Sequence, residues 1–298
     1  MAEVPLKADR STRNKDVQET RQITPRITVT TDFSLESERA FFHALAFAIT
    51  QQARLTLLHT GSESRNAVPW ERFPGVRETL AGWGLLPQDA PRDAVTDTLN
   101  VGIAKMAMRD HDPRQGITDY LRKHPTDLLV MATEGRTGLA RLLNPSVAET
   151  VSYQTKSHTL MLPKAGRGFV DPQTGKTNLK RVLCALDPHR DPRTALAYLK
   201  RWLPTFGGTG MAILVLQTCN PDESTELILP QTADISWRQE ARPGDPVESI
   251  VAAAREMEAE MVVVTTRDRS GLIKRMRGSL TDVILRDLRL PLLSVPAL

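Results

Sequence analysis

A repeat within the chain constrains its fold more than any other feature of the sequence. The segment from Asp112 to Pro163 aligns without a gap with the segment from Asp245 to Pro296, 133 residues further on. The first copy contains TEGRTGLARLLNPSVAE and the second TRDRSGLIKRMRGSLTD. Self-similarity over this length indicates a duplicated domain. The length of 298 residues fits two such domains, since domains cluster near about 100–150 residues.

Each copy has the same predicted order of elements. A helix is expected to begin at Pro113 and at Pro246, because an aspartate cap followed by proline at the first helical position is a strong start signal. A short apolar strand follows (DLLVMAT, EMVVVTT), then a polar turn, a second helix and a closing strand (HTLML, PLLSV). The closing strands would be sheet edges, which proteins cover by pairing. We expect them to pair with each other and to join the halves as a pseudo-dimer.

Upstream of each copy, a strand ending in aspartate opens the half. These strands are RITVTTD, ending at Asp32, and RVLCALD, ending at Asp187, and each precedes a helical stretch and a second strand (RLTLLHT, MAILVLQT). Strands that are apolar along their whole length and alternate with helices indicate a parallel sheet covered on both faces. The predicted fold is α/β: two doubly wound, mostly parallel, five-stranded sheet domains in tandem.

The boundaries follow from this pattern. Residues 1–24 are predicted to be a disordered or flexible tail, 25–163 the first domain, 164–178 a linker rich in Gly, Lys and Pro, and 179–298 the second domain. The opening aspartates lie 155 residues apart, so the first half carries 22 additional residues, near 62–91. This insert holds Trp70 and Trp83. It is either a lid or partner surface or an extra helix that packs its tryptophans on the first sheet, and the packing interpretation is preferred.

Composition narrows the class of protein. The net charge is +4, but basic and acidic residues are interspersed, which is typical of a solvated surface and makes nucleic acid an unexpected partner. No apolar run reaches the roughly 20 residues of a membrane helix, and the amino-terminal stretch lacks the apolar core of a signal peptide. We therefore expect a cytoplasmic protein. Cys184 and Cys219 are predicted to be buried, reduced thiols.

No catalytic pattern is recognisable. The six histidines lack metal-ligand spacing, and the sequence contains no nucleophile elbow, phosphate-binding P-loop or kinase signature. We predict that the protein is not an enzyme and holds no metal. A turn after a parallel strand, with Ser146 or Ser279 where the next helix would begin, is instead typical of a nucleotide phosphate site.

These motifs, in this order and present twice, resemble the universal stress protein domain of the adenine-nucleotide α-hydrolase-like superfamily. The resemblance covers Arg26 to Pro163 and Leu179 to Pro296 and implies a Rossmann-like fold, a cytoplasmic location and dimers or dimer-like tandems. It also implies that the chain is either a nucleotide binder or one of the members that do not bind. In the binders the phosphate loop reads Gly, two residues, Gly, nine residues, Gly, then Ser or Thr.

Neither loop of this chain completes the family pattern. The first half reads Ala132, Gly135, Pro145, Ser146, and the second reads Thr265, Asp268, Gly278, Ser279. Pro145 removes an N–H donor, and Asp268 puts a carboxylate where phosphate oxygens would approach. The candidate nucleotide site of the first half comprises Thr30, Thr31, Asp32, Ala132, Gly135, Arg136, Ser146 and Val147. That of the second half comprises Ala185, Asp187, Thr265, Arg269, Gly278, Ser279 and Leu280.

Several alternatives remain open on the sequence alone. Asp32 and Asp187 either read the base or ribose, as the resemblance implies, or cap the helix that follows. Arg136 and Arg269 are either phosphate ligands or solvated turn residues. The preferred function is a non-enzymatic stress regulator with weakened or lost adenine-nucleotide binding. The alternatives are an ATP-binding, slowly hydrolysing switch and a scaffold acting through the insert. ATP or another adenine nucleotide is the expected cofactor if one is bound, and the protein partner and any homodimer are not determined.

Overall fold

The computed structural model describes residues 24–61, 69–133, 147–166, 168–187, 191–207, 209–266, 280–281 and 283–296. We call residues 24–163 the first half and residues 179–296 the second half. The predicted tail of residues 1–24 lies outside the described residues except for its last position.

The first half alternates strands and helices. It contains, in order, β1 (Arg26–Thr31), α1 (Leu35–Gln51), β2 (Arg54–Gly61), α2 (Val76–Gly82), α3 (Ala94–Leu99), β3 (Gly102–Arg109), α4 (Pro113–Lys123), β4 (Leu128–Ala132), α5 (Val147–Thr155) and β5 (Thr159–Leu162). A single turn of 3₁₀ helix at Trp70–Arg72 precedes α2.

The described residues of the second half follow the same strand order, and no α-helix lies between β7 and β8, where the first half has α2 and α3. It contains β6 (Arg181–Leu186), α6 (Arg193–Phe206), β7 (Met211–Gln217), β8 (Ile235–Ala241), α7 (Pro246–Glu256), β9 (Met261–Thr266) and β10 (Leu292–Pro296). A short π-helical turn, Val283–Asp287, leads towards β10.

The ten strands form one continuous sheet in the order β3-β2-β1-β4-β5-β10-β9-β6-β7-β8. Neighbouring strands within each half are parallel, whereas β5 and β10 are antiparallel, with Leu160 opposite Leu293. The predicted fold class is therefore confirmed, and the closing strands pair with each other as expected. The strand order reverses beside β1 in the first half and beside β6 in the second, which are the positions where such sheets bind ligands.

The outer edges of the sheet were not located by the apolar-run pattern. It identified four strands in each half, and the fifth is β3 or β8. Both are edge strands with polar residues in the middle of the strand, such as Lys105 in β3 and Arg238 in β8. Only one edge of each of them is paired with a neighbouring strand, and their side chains are half-exposed. An edge strand therefore lacks the continuous apolar run of a buried parallel strand.

Aspartate caps begin α4 and α7, as predicted from the Asp-Pro pairs. The Asp112 side chain accepts a hydrogen bond from Arg114 N, and the Asp245 side chain accepts from Val247 N and Glu248 N. These contacts satisfy backbone donors that a helix leaves unpaired in its first turn.

Two apolar clusters, one on each face of the sheet, extend across both halves. One of them joins Phe47 of α1 to Trp202 and Phe206 of α6 and includes Leu293 of β10. The other joins Leu129 of β4 to Val262 of β9. The halves therefore share their cores as well as their sheet.

The cysteines differ in burial. Cys184 of β6 is fully buried, and burial raises the pKa of its thiol to about 12. Cys219 lies beyond the end of β7 and is only half-buried, so the expectation of two buried thiols was wrong for that residue. Its position after the strand, where the chain turns to the surface, accounts for the difference.

Candidate functional site

In each half, the predicted nucleotide site lies at the carboxyl end of the opening strand and its neighbour. In the first half, Thr30 and Thr31 end β1, Asp32 follows them, Ala132 ends β4 and Val147 begins α5. Parallel pairing of β1 with β4 brings the two strand ends side by side. Gly135, Arg136 and Ser146 of the predicted site lie outside the described residues.

Local hydrogen bonds order the turn between β1 and α1. The Thr31 hydroxyl lies 2.9 Å from the Ser37 hydroxyl and accepts a hydrogen bond from Phe33 N at 2.9 Å. Ser34 is the residue that caps α1, because its hydroxyl accepts from Ser37 N. The turn requires a left-handed conformation at Phe33, with a φ of 65°, which is uncommon for a bulky side chain.

Asp32 takes part in this turn through one carboxylate oxygen. Its Oδ1 accepts from both the backbone N–H and the hydroxyl of Ser34. Burial raises the pKa of Asp32, but the hydrogen bonds from Ser34 and Ser37 outweigh it and hold the pKa below its usual range. In the structure Asp32 thus orients the capping serine, which is close to the capping interpretation, although the cap itself is Ser34.

An aromatic cluster stands beside this turn. The Phe33 ring centroid lies 4.6 Å from that of His59, 5.3 Å from that of Trp70 and 5.8 Å from that of Phe73. His59 lies near the carboxyl end of β2, and its Nδ1 is 2.8 Å from Thr31 O. Trp70 comes from the insert, so the additional residues of the first half cover the carboxyl ends of β1 and β2 with aromatic rings.

The corresponding site of the second half has a different neighbourhood. Ala185 lies in β6, Asp187 follows it, Thr265 lies near the end of β9, and Leu280 is buried. Asp187 N donates to the Thr265 hydroxyl at 3.1 Å, which ties the two strand ends together. Arg269, Gly278 and Ser279 lie outside the described residues.

A surface depression opens at these strand ends in the second half. It is shallow, with a cavity volume of only about 10 Å³, and is lined by Leu186, Asp187, Asp191, Pro192, Thr194, Ala195 and Thr265. Asp191 is held by the Arg193 guanidinium, whose hydrogen bonds lower the pKa of Asp191 to about 2. The rim is therefore a neutralised ion pair and the wall is largely apolar.

The two sites differ because the chain that follows each second strand differs. After β2 the insert supplies Trp70 and Phe73, whereas the stretch from 218 to 234 after β7 contains no aromatic residue. The sequence analysis missed Phe33, Asp191 and Thr194. Asp191 stands before a proline at a helix start, a signal that would have placed it beside Asp187.

The described residues also bear on metals and membranes. Among them, no group of three or more His, Cys, Asp or Glu side chains is placed to hold a metal ion. No helix in that part of the chain is both long enough and apolar enough to cross a membrane. Of the histidines, His43 and His59 are buried and His158 is half-buried, whereas His189 lies outside the described residues.

Comparisons with known proteins bear on the family and the fold of the chain. A sequence model of the Universal stress protein family matches residues 24–163 and 222–296. A universal stress protein of Mycobacterium tuberculosis (strain ATCC 25618 / H37Rv) is 24% identical over 300 residues, covering 90% of this chain and 95% of the relative.

Solved structures show the same architecture. A universal stress protein from Archaeoglobus fulgidus DSM 4304 superposes with a TM-score of 0.55 and 18% identity, covering 91% of this chain and 96% of the other. A putative universal stress protein from Pseudomonas aeruginosa UCBPP-PA14 superposes with a TM-score of 0.57 and 15% identity, covering 93% of this chain and 94% of the other.

Proposed function

The chain belongs to the universal stress protein family, and from that premise we propose that it is a non-enzymatic, cytoplasmic stress regulator whose adenine-nucleotide binding is weak and confined to the second half. The observation that carries the proposal is the asymmetry of the two strand-end sites. In the first half Trp70 packs against Phe33 beside the ends of β1 and β2, whereas in the second half a shallow depression lies beside Asp187.

The first half is the weaker candidate for two reasons. Its aspartate is engaged by Ser34, so a ligand would compete with a contact that orders the start of α1. Its loop carries Pro145, which has no N–H to offer a phosphate. The loop of the second half keeps Gly278 and Ser279 but carries Asp268, whose charge opposes phosphate. These substitutions support weak binding in the second half and none in the first.

Isothermal titration with AMP, ADP and ATP tests the proposal. We expect at most one site per chain, with a dissociation constant weaker than about 100 µM, or roughly 5.5 kcal/mol of binding free energy. Asp187→Ala should abolish the binding heat. The matched control is Asp32→Ala, which changes the equivalent residue and should leave the titration unchanged. Two equivalent sites, or loss of binding in the control alone, would overturn the assignment.

The absence of enzymatic activity is tested separately. We expect phosphate release from ATP to equal that of a buffer blank, because the sequence contains no phosphate-binding P-loop and no kinase signature. Release above the blank that disappears in the double variant Asp187→Ala, Ser279→Ala would instead favour a hydrolysing switch.

A further inference from the structure

The segment that joins the two halves is fastened to α1. The Arg39 guanidinium donates hydrogen bonds to Gly166 O and, at 2.9 Å, to Lys164 O. Further along, the segment folds back on itself through a bridge between Val170 and Thr177. The described residues of the predicted linker, 164–166 and 168–178, thus form an ordered segment, which we call the strap.

His43 of α1 holds the middle of this strap. Its Nδ1 lies 2.8 Å from Arg39 O, and because a carbonyl oxygen only accepts, Nδ1 must carry the proton. Nε2 is therefore the acceptor, and it receives Phe169 N at 3.0 Å and Val170 N at 3.3 Å. A neutral imidazole in this tautomer satisfies all three contacts, whereas a protonated ring would direct an N–H at two other N–H groups.

The strap lies too close to the imidazole to adapt around a change in its charge. A Cβ on Gly168 would stand 2.2 Å from His43 Cε1, so the backbone packs directly on the ring. The next residue, Phe169, places its ring 5.9 Å from Phe47 of α1 and 5.9 Å from Phe206 of α6. The bonds of His43 therefore position an aromatic wedge between the helices of the two halves.

The surroundings of His43 favour its neutral form. The ring is fully buried, and burial lowers its pKa to about 4. The charged group that acts on it is Arg39 of its own helix, which also disfavours a second positive charge. The strap and α1 face it with Phe169, Val170 and Phe47, none of which titrates. Among the described residues, no carboxylate acts on the ring to stabilise the imidazolium.

We propose that His43 is an acid-sensitive latch on the interdomain linker: a proton taken up from solvent at Nε2 breaks both bonds to the strap, withdraws Phe169 and loosens the contact between the halves. The latch does not depend on nucleotide binding. It would let an acid-stressed cell alter the relation between the two halves without any ligand.

The direction of the effect follows from proton linkage. The folded pKa lies below the ordinary value of 6.5, so the open strap binds the proton more readily than the closed one. The strap is closed above about pH 6.5, and its closure weakens progressively as the pH falls towards about 4.

Amide hydrogen exchange, resolved by residue and corrected for intrinsic rates, measures the latch. Between about pH 7 and about pH 4.5 we expect the protection of Phe169 and Val170 to fall at least about tenfold, which corresponds to one pKa unit of linkage. The buried amide of Leu199 in α6 should stay better protected than Phe169 and Val170 at both pH values, which would show that the fold is intact while the strap opens.

His43→Gln is the matched variant, because the amide oxygen can accept from the strap and cannot take up a proton in this range. Its strap protection should not depend on pH, whereas His111→Gln, at an exposed residue, should behave as the native protein does. Unchanged protection of Phe169 in the native protein at pH 4.5, or an equal loss in His43→Gln, would overturn the latch. If His43→Gln does not fold, the comparison of Phe169 with Leu199 in the native protein still decides.

Discussion

At the scale of single residues, Asp32 and Asp187 occupy matching positions and have different partners. Asp32 holds Ser34, the cap of α1, and Ser37 lies one turn further on. The equivalent positions of the second half are His189 and Pro192. Neither residue carries a hydroxyl, so the serine contacts of the first half are not repeated by the same residue types in the second. The same residue type therefore serves the helix start in one half and borders an open depression in the other.

The sequence indicated where these aspartates lie but not what they contact. An apolar run that ends in aspartate locates a strand end, because the run reports burial of the strand. One partner of Phe33 is Trp70, which lies in a 3₁₀ turn 37 residues further along the chain. Such a contact is set by tertiary packing and leaves no local pattern. The candidate residues in the two phosphate loops remain predictions.

Gly175 provides a test of the packing between the insert and the strap. It has a φ of 68°, and a Cβ there would lie 2.4 Å from Trp83 Cε3, while Trp83 Nε1 donates to Pro172 O. We expect Gly175→Ala to lower the free energy of unfolding by roughly 2–4 kcal/mol, through backbone strain and displacement of the indole. Urea denaturation of the variant and the native protein measures this difference in the free energy of unfolding.

Gly210→Ala is the control for backbone strain alone. Its φ of 77° is similar, but a Cβ there meets open space. It should cost only about 1 kcal/mol. Equal losses in the two variants would show that the Trp83 contact contributes nothing.

His158 predicts a pH dependence of stability separate from that of the strap. Its ring stacks on Tyr198 of α6 with centroids 3.7 Å apart, and burial lowers its pKa to about 4 despite the attraction of Asp127. Because the folded pKa lies below the unfolded one, its stabilising contribution is complete above about pH 6.5 and falls as the pH decreases towards 4. The native protein should lose about 2 kcal/mol more than His158→Gln between about pH 7 and about pH 5. Parallel slopes in urea denaturation would contradict this.

At the scale of elements, the sheet is joined at the pairing of β5 with β10. The sequence predicted this pairing because both strands are short, apolar and last in their half. Its antiparallel direction follows from the pseudo-two-fold relation of the halves. The edge strands β3 and β8 could not be located in the same way, since a half-exposed strand with polar residues resembles a loop in composition.

Residues 69–83 of the insert pack both tryptophans on the first half, which favours the packing interpretation over a free partner surface. The domain boundaries stay predictions.

Leu160 and Leu293 test whether this pairing couples the halves. They stand opposite each other in β5 and β10 and are fully buried. Each alanine substitution should cost about 2–4 kcal/mol, as for other buried leucines. A double-mutant cycle by urea denaturation should give a coupling of at least about 0.5 kcal/mol, because the two residues are register partners in the same apolar cluster. Additive losses would indicate that the strands contribute independently.

At the scale of the whole molecule, duplication produced one sheet and two strand-end sites that have since diverged. The shared cores join the halves. The insert adds aromatic rings beside the first site, and Asp268 adds a negative charge to the loop of the second. The repeat made the architecture predictable. Each copy of the domain ends in an apolar edge strand, and pairing these two strands with each other covers both edges. The asymmetry of the sites could be inferred only in part, from the loops, since the covering of the first site depends on how the insert folds.

A crystal structure of the protein grown with millimolar AMP tests the central claim most directly, because it examines both sites in one molecule under identical conditions. The account predicts density for the nucleoside beside Asp187 and Thr265 and an unchanged cluster of Phe33, His59 and Trp70 in the first half. Nucleotide bound beside Asp32, in the first half alone or in both halves with the aromatic rings displaced, would contradict it.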